Sequence, residues 1–289
     1  MKVVPLSVWV VVVVGAAAVL AEHAHTPPVV ERAKAPAADN RNSSLNIVGR
    51  SVDCADYLMA GATASGVYEI YPFSCTCGRS VRVWCDMETD GGGWTVFLKR
   101  QNQTSQLDFN RTWVEYKEGF GSPEQEYWLG NELLHQMTFS REYAVRLDVH
   151  LTSGGYDYGT YERFKINDED TRYRTTLSGK YDGGETRFCM YYLNGRYFTT
   201  RDRDYDSYSG NCAAKQGGGW WYYDCRRFNP TSTYNSSSIN MLCYSSSYTQ
   251  KVTNIELKLR PAICDSAIKT IHLQDHTCGC QGTPELTAK

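Results

Sequence analysis

The chain has 289 residues, with 30 basic against 32 acidic side chains and a net charge of −2. A near-neutral balance without a basic run excludes a nucleic-acid surface or adhesion to anionic membranes as the primary activity. Cysteine (11), tyrosine (21) and tryptophan (7) are abundant, which points to a disulfide-bonded, aromatic-rich domain in an oxidising compartment.

Lys2 precedes an apolar run from Val3 to Leu20 broken only by Pro5 and Ser7, and Val19-Leu20-Ala21 is a small-residue cleavage site. This is the pattern of a signal peptide over residues 1–21, with a mature chain starting near Glu22. The alternative is an uncleaved anchor, because the run approaches spanning length. No later segment is apolar enough for membrane insertion. Residues 22–50 are rich in Ala, Pro, Asn and charge, have no sustained periodicity, and read as a flexible linker without heptads. Sequons at Asn42, Asn102, Asn110 and Asn235 agree with export as a secreted glycoprotein. The odd cysteine count leaves one thiol free or paired between chains, a route to a homo-oligomer.

The compact domain is expected over residues 51–261. Strand patterns dominate it: Trp94 to Arg100, Tyr143 to His150 with Val145, Leu147 and Val149 alternating with Arg146, Asp148 and His150, and Ile255 to Leu259. Each has the period of a half-buried strand. Two short helices are predicted, one around Arg111 to Lys117 ended by Gly119, the other from Asn131 to Met137 with Leu133, Leu134 and Met137 on one face. The mixture predicts an α+β fold. Residues 262–289, with Cys264, Cys278 and Cys280, read as an extension tied down by disulfides.

The most informative stretch runs from Asp202 to Cys225. Asp202, Asp204 and Asp206 alternate ahead of Cys212, and Gly217-Gly218-Gly219-Trp220-Trp221-Tyr222-Tyr223 leads to Cys225. Alternating carboxylates supply hard oxygen ligands suited to calcium. An EF-hand is rejected, because Ser207 stands at the required glycine and Ala213 at the bidentate Glu. From spacing alone the loop fits either another kind of calcium site or a solvated turn partly neutralised by Arg201 and Arg203. The glycine triplets before Trp94 and Trp220 lack the Lys-Ser/Thr of a phosphate loop and read as tight turns. His272, His276, Cys278 and Cys280 fit zinc or, as export favours, disulfide cysteines beside exposed histidines. In the domain core only His135 and His150 occur, with no nucleophile elbow and no zinc-protease motif, so a binding protein rather than an enzyme is expected.

These motifs add up to a resemblance. Asp53-Cys54, Ser65-Gly66-Val67-Tyr68, the run from Cys85 to Val96 (CDMETDGGGWTV), Trp128-Leu129-Gly130-Asn131-Glu132, Asn211-Cys212-Ala213, Trp220-Trp221-Tyr222 and Leu259-Arg260-Pro261 resemble the fibrinogen C-terminal-like domain in order and spacing. Within that family the chain looks most like secreted arthropod plasma lectins of the tachylectin type and the ficolins. The resemblance implies one domain with a twisted, mostly antiparallel sheet, short helices and an irregular calcium- and ligand-binding subdomain. It places Ca2+ on the carboxylates of Asp204 and Asp206 and the carbonyls of Tyr208 and Gly210, with Asp202 just outside. It implies disulfides Cys54–Cys85 and Cys212–Cys225 and a cis peptide at Asp224–Cys225.

By the same resemblance, the lectin members bind acetylated sugars beside this loop, which puts the ligand site on Asp224, Cys225, Arg226, Tyr234, Tyr244 and Tyr248. The chain departs from the family there. Arg226 replaces the usual His, Gln216 stands at an aromatic position, and Phe228-Asn229-Pro230-Thr231 replaces the NLNG turn. The expected function is a secreted, calcium-dependent lectin for N-acetylated glycans on microbial or cell surfaces, acting in innate immunity or agglutination. An arginine beside the pocket favours sialic acid over neutral N-acetylhexosamines. The alternative is a protein-binding module of clotting, adhesion or signalling, and the altered pocket favours it.

Overall fold

A computed structural model of the chain describes residues 51–72, 80–184, 186–225, 228–234, 239–242 and 249–262. Cys54–Met59 (α1), Gly66–Ile70 (β1), Val81–Asp86 (β2), Trp94–Gln101 (β3), Trp113–Glu118 (α2), Phe120–Gly121 (β4), Tyr127–Trp128 (β5) and Asn131–Ser140 (α3) form the first half. Tyr143–Leu151 (β6), Tyr156–Ile166 (β7), Thr175–Gly183 (β8), Thr186–Tyr191 (α4), Cys212–Gln216 (α5), Ile239–Leu242 (β9) and Thr249–Pro261 (β10) follow. The fold is α+β. One antiparallel sheet runs in the order β1-β2-β3-β10-β6-β7-β8, with β5 (itself paired with β4) also pairing with β3, and β9 with β10.

The last strand lies at the centre of the sheet. β10 pairs with β3 through Leu257↔Leu98 and with β6 through Leu257↔Leu147. Its alternation explains the position: Ile255, Leu257 and Leu259 are buried in the apolar core with Val145, Leu147, Val149 and Phe97. The opposite face is buried too, which corrects the half-buried reading of these strands. Arg146, Asp148, Lys258 and Arg260 are at most 5% exposed. They are kept inside by pairing. Lys258 Nζ lies 2.6 Å from Asp86 Oδ2 and also contacts Asp148, Arg146 Nε lies 2.9 Å from Asp148 Oδ1, and Arg260 lies 3.3 Å from Asp90 and covers the Trp94 ring. Charges enter an interior only when paired and hydrogen-bonded in this way.

The predicted helices form with shifted ends. The first starts at Trp113 because Thr112 is its N-cap: the Thr112 side chain bonds the first turn while Glu115 accepts the Thr112 N–H (2.8 Å). That reciprocal capping box is written in the sequence as Thr-x-x-Glu. Gly119 ends the helix. The second continues past Met137 to Ser140, since Thr138 turns inward and donates to Leu134 O (2.8 Å). The short α1, with Asp53 capping the N–H groups of Ala55 and Asp56, is not apparent from periodicity.

After α4 the described chain is mostly irregular up to residue 234 and is organised by aromatic rings. Trp113, Tyr116, Trp128, Phe198, Trp220 and Trp221 are all at most 1% exposed and pack mainly edge to face. The second glycine triplet fits itself against this cluster. Gly217 ends α5 in the left-handed region (φ 74°). A Cβ on Gly219 would lie 2.7 Å from the Tyr116 ring, whose hydroxyl accepts the Gly219 N–H (2.8 Å). Close approach of backbone to ring is therefore why glycine stands there.

Candidate functional site

The aspartate loop is pinned at both ends by its own polar groups. Asp202 Oδ1 accepts the Trp113 N–H (2.9 Å), one of the orphan donors at the start of α2, and the Thr200 hydroxyl (2.8 Å). Asp202 is thus committed to holding the loop on α2. Asn211 donates to Thr200 O (2.8 Å) and Arg201 O (3.3 Å) and caps α5 by accepting the Ala214 N–H (2.8 Å). Tyr205 N–H donates to Thr199 Oγ1 (3.0 Å). Beneath the loop, Cys212 and Cys225 are joined by a disulfide with Cα atoms 4.8 Å apart.

Between these anchors lie the other two carboxylates. Asp206 Oδ1 accepts the Tyr208 N–H (2.9 Å), its Oδ2 accepts the Cys212 N–H (2.9 Å), and its own N–H reaches Asp204 Oδ1 (3.4 Å). Burial raises the Asp206 carboxyl above its ordinary value, the neighbouring Asp204 charge adds to this, and the two backbone N–H groups oppose it. Among the described residues no Lys or Arg forms an ion pair with either aspartate, and no donor takes up the carbonyls of Tyr208 or Gly210. Carboxylate and carbonyl oxygens are the hard donors that a cation such as calcium takes. No cluster of three His, Cys, Asp or Glu that could hold a metal occurs among the described residues, so a site here depends on the carbonyls.

The ligand-side residues divide. Cys225 is buried and Asp224 half-buried. The Asp224–Cys225 peptide is trans, since the described residues contain no cis bond, which corrects the cis expectation. A non-proline cis bond is disfavoured by about 3–4 kcal/mol, and the disulfide here closes on a trans backbone. Tyr234 is half-buried, and its hydroxyl donates to Thr253 O (2.8 Å) on β10. Its ring faces Arg100 (5.0 Å), leaving only part of the side chain for a ligand. Gln216 is half-buried at the end of α5. Arg226, Tyr244 and Tyr248 lie outside the described residues, as do Asn42 and Asn235, the 1–21 and 22–50 segments, and the 263–289 part of the extension. Asn102 and Asn110 are exposed.

Two features of the surroundings escape a linear reading. Arg100 and Glu126, both almost fully buried, form an ion pair (2.9 Å). Arg100 also donates to Pro230 O (2.8 Å) and Ser232 O (3.0 Å), and so ties the 230–232 turn to β3. Isolated charges 26 residues apart gave no signal. The second feature lies beside Asp224. Tyr223 is 38% exposed, packs at a tilt against Tyr192 (5.3 Å) and lies under the Arg196 guanidinium (4.4 Å). Away from this region Cys54 and Cys85 are joined (Cα–Cα 5.4 Å), and Cys189 is also disulfide-bonded. The described residues contain no helix long and apolar enough to cross a membrane.

Comparison with known proteins places this architecture. The family described as the C-terminal globular domain of fibrinogen beta and gamma chains matches residues 50–262, and the chain belongs to that family. It is 41% identical to angiopoietin-4 of Bos taurus over 182 residues, covering 63% of this chain and 36% of that protein. It is 40% identical to human ficolin-3 over 182 residues, covering 63% of this chain and 59% of that one. The chain thus spans less than two thirds of the length of either relative. The fibrinogen-like globe domain of human ANGPTL6 superimposes with a TM-score of 0.66 at 34% identity, covering 76% of this chain and 99% of that structure.

Proposed function

We propose that the chain is a secreted, calcium-dependent lectin that binds N-acetylated glycans on microbial or cell surfaces. The observation that carries this reading is the loop from Asp204 to Gly210. It is anchored by Asp202, Asn211 and the Cys212–Cys225 disulfide, yet its two carboxylates are uncompensated among the described residues. Asp204, Asp206 and the carbonyls of Tyr208 and Gly210 would hold calcium, which supplies the positive charge that fixes the loop. The chain's own residues do the rest. The disulfide and the buried Trp220–Trp221 pair hold the segment leading to Asp224 and Cys225, on which the lectin reading places the acetyl group. Likeness to ficolin-3 supports this reading. Weak single-site affinity would be raised by oligomerisation, for which the odd cysteine count offers a covalent link.

The test is agglutination of glycan-coated particles by the purified chain, with competing free sugars and with a chelator. Inhibition by N-acetylglucosamine but not glucose, together with loss of agglutination on chelation, is expected. A second reading, a protein-binding module, is favoured by the likeness to angiopoietin-4 and to the ANGPTL6 globe. Indifference to every N-acetylated sugar, with retained binding to a cell-surface protein, would select it.

A further inference from the structure

The fold brings a guanidinium to the candidate ligand site from a distant part of the sequence. Arg196 follows the turn after α4, and its backbone is fixed there: its N–H donates to Leu193 O (3.1 Å) and its carbonyl accepts the Thr175 N–H (3.0 Å). From this position it lies 4.4 Å over the ring of Tyr223, the residue immediately before Asp224–Cys225. Tyr223 in turn adjoins Tyr192 (5.3 Å), and Tyr192 adjoins Tyr191 (5.6 Å), which is 63% exposed. Among the described residues no carboxylate forms an ion pair with Arg196, and its Nε is enclosed without a hydrogen-bond partner. A guanidinium placed over an aromatic ring and left without a carboxylate partner has nitrogens to offer as a fork matched to a carboxylate. Tyr191 is the most exposed of the three, Tyr192 is half-buried between it and Tyr223, and an exposed tyrosine face is a surface on which a sugar ring stacks.

We propose that Arg196, with Tyr223, Tyr192 and Tyr191, forms a subsite for a carboxylate-bearing sugar, so that the preferred ligand is an acidic N-acetylated oligosaccharide. This rests on the lectin reading and names its substrate class. The assignment follows from charge complementarity and from direct continuity with Asp224–Cys225. Two sources share the chemistry, sialic acid at a glycan terminus and a uronic acid alternating with an N-acetylhexosamine.

The experiment is titration of the full chain, in calcium, with sialyllactose, with a short hyaluronan oligosaccharide and with neutral N-acetylglucosamine. The wild type is compared with Arg196→Ala, Arg196→Lys and Tyr192→Ala. Loss of one partly exposed, charge-assisted pair is expected to lower the ratio of acidic to neutral affinity about fivefold to tenfold in Arg196→Ala. Arg196→Lys, which keeps the charge without the fork, should fall between, and Tyr192→Ala should weaken the larger acidic ligand most. Whichever acidic ligand shows the change identifies the source. An unchanged ratio in Arg196→Ala overturns the subsite while leaving the lectin reading intact. If neither acidic nor neutral N-acetylated sugars bind the wild type, the lectin reading fails first, and the subsite with it. Melting temperatures of the variants separate a binding defect from misfolding.

Discussion

At the scale of single residues, the three alternating aspartates have diverged in role although they look alike in sequence. Asp202 spends its carboxylate on the Trp113 N–H and the Thr200 hydroxyl, whereas Asp204 and Asp206 remain as a like-charged pair. Asp204→Ala and Asp206→Ala should each abolish the rise in melting temperature that calcium gives the wild type, read by differential scanning calorimetry with and without chelator. A wild type indifferent to chelation would remove calcium from the account. Buried carboxylates elsewhere set the pH response. Burial first, and the Asp53 charge next, push Asp56 up to about 7. A carboxyl raised above its unfolded value stabilises the fold while protonated, so this contribution is full below the ordinary carboxylate value of 3.8 and is lost as pH rises through about 7. Asp86 has the opposite sign. Burial pushes it up, but the charge and hydrogen bond of Lys258 prevail and hold it at about 2, so its contribution is present above 3.8 and is lost as pH falls through about 2. Asp56→Asn should therefore flatten the decline in melting temperature between weakly acidic and neutral pH. Curves that stay parallel to the wild type across that range would contradict the assignment.

At the scale of elements, local signals were readable where a side chain answers its own backbone. The Thr112–Glu115 capping box and Gly119 delimit α2 from sequence neighbours alone. Thr112→Ala should cost about 1 kcal/mol in urea unfolding. What the local pattern does not contain is the attachment of the 228–234 segment. That depends on Arg100, whose guanidinium meets Glu126 and the carbonyls of Pro230 and Ser232. Glu126→Ala strands a buried cation and is expected to destabilise by about 3–5 kcal/mol. A loss below about 1 kcal/mol would show that water reaches Arg100. The polar faces of β6 and β10 teach the same lesson. Arg146 and Lys258 alternate with apolar residues as exposed positions would, yet Asp148 on β6 lies between them, Asp86 on β2 reaches Lys258 and Asp90 reaches Arg146, so both cations are buried in pairs.

At the scale of the whole molecule, the Cys212–Cys225 disulfide closes a loop with a sequence separation of 13 that carries much of the irregular region. The Cys212→Ser, Cys225→Ser double variant should lose about 3 kcal/mol by chain-entropy arguments, measured in denaturant, and should lose agglutination with it. Retained agglutination would place the ligand site elsewhere. The motifs from Cys85 to Val96 and from Asn211 to Tyr222 were sufficient to indicate the family and the fold class, because tight glycine turns, capped helices and cysteine spacing are local constraints that a linear sequence records. The aspartate loop was legible for the same reason. Only the tertiary structure decided that β10 runs through the middle of the sheet, that both faces of β6 are buried, and that Arg196 comes to rest over Tyr223 beside Asp224. Each of these depends on pairing between segments far apart in the chain. The energy of such pairing comes from burying partner surfaces and charges together, which no window of neighbouring residues contains.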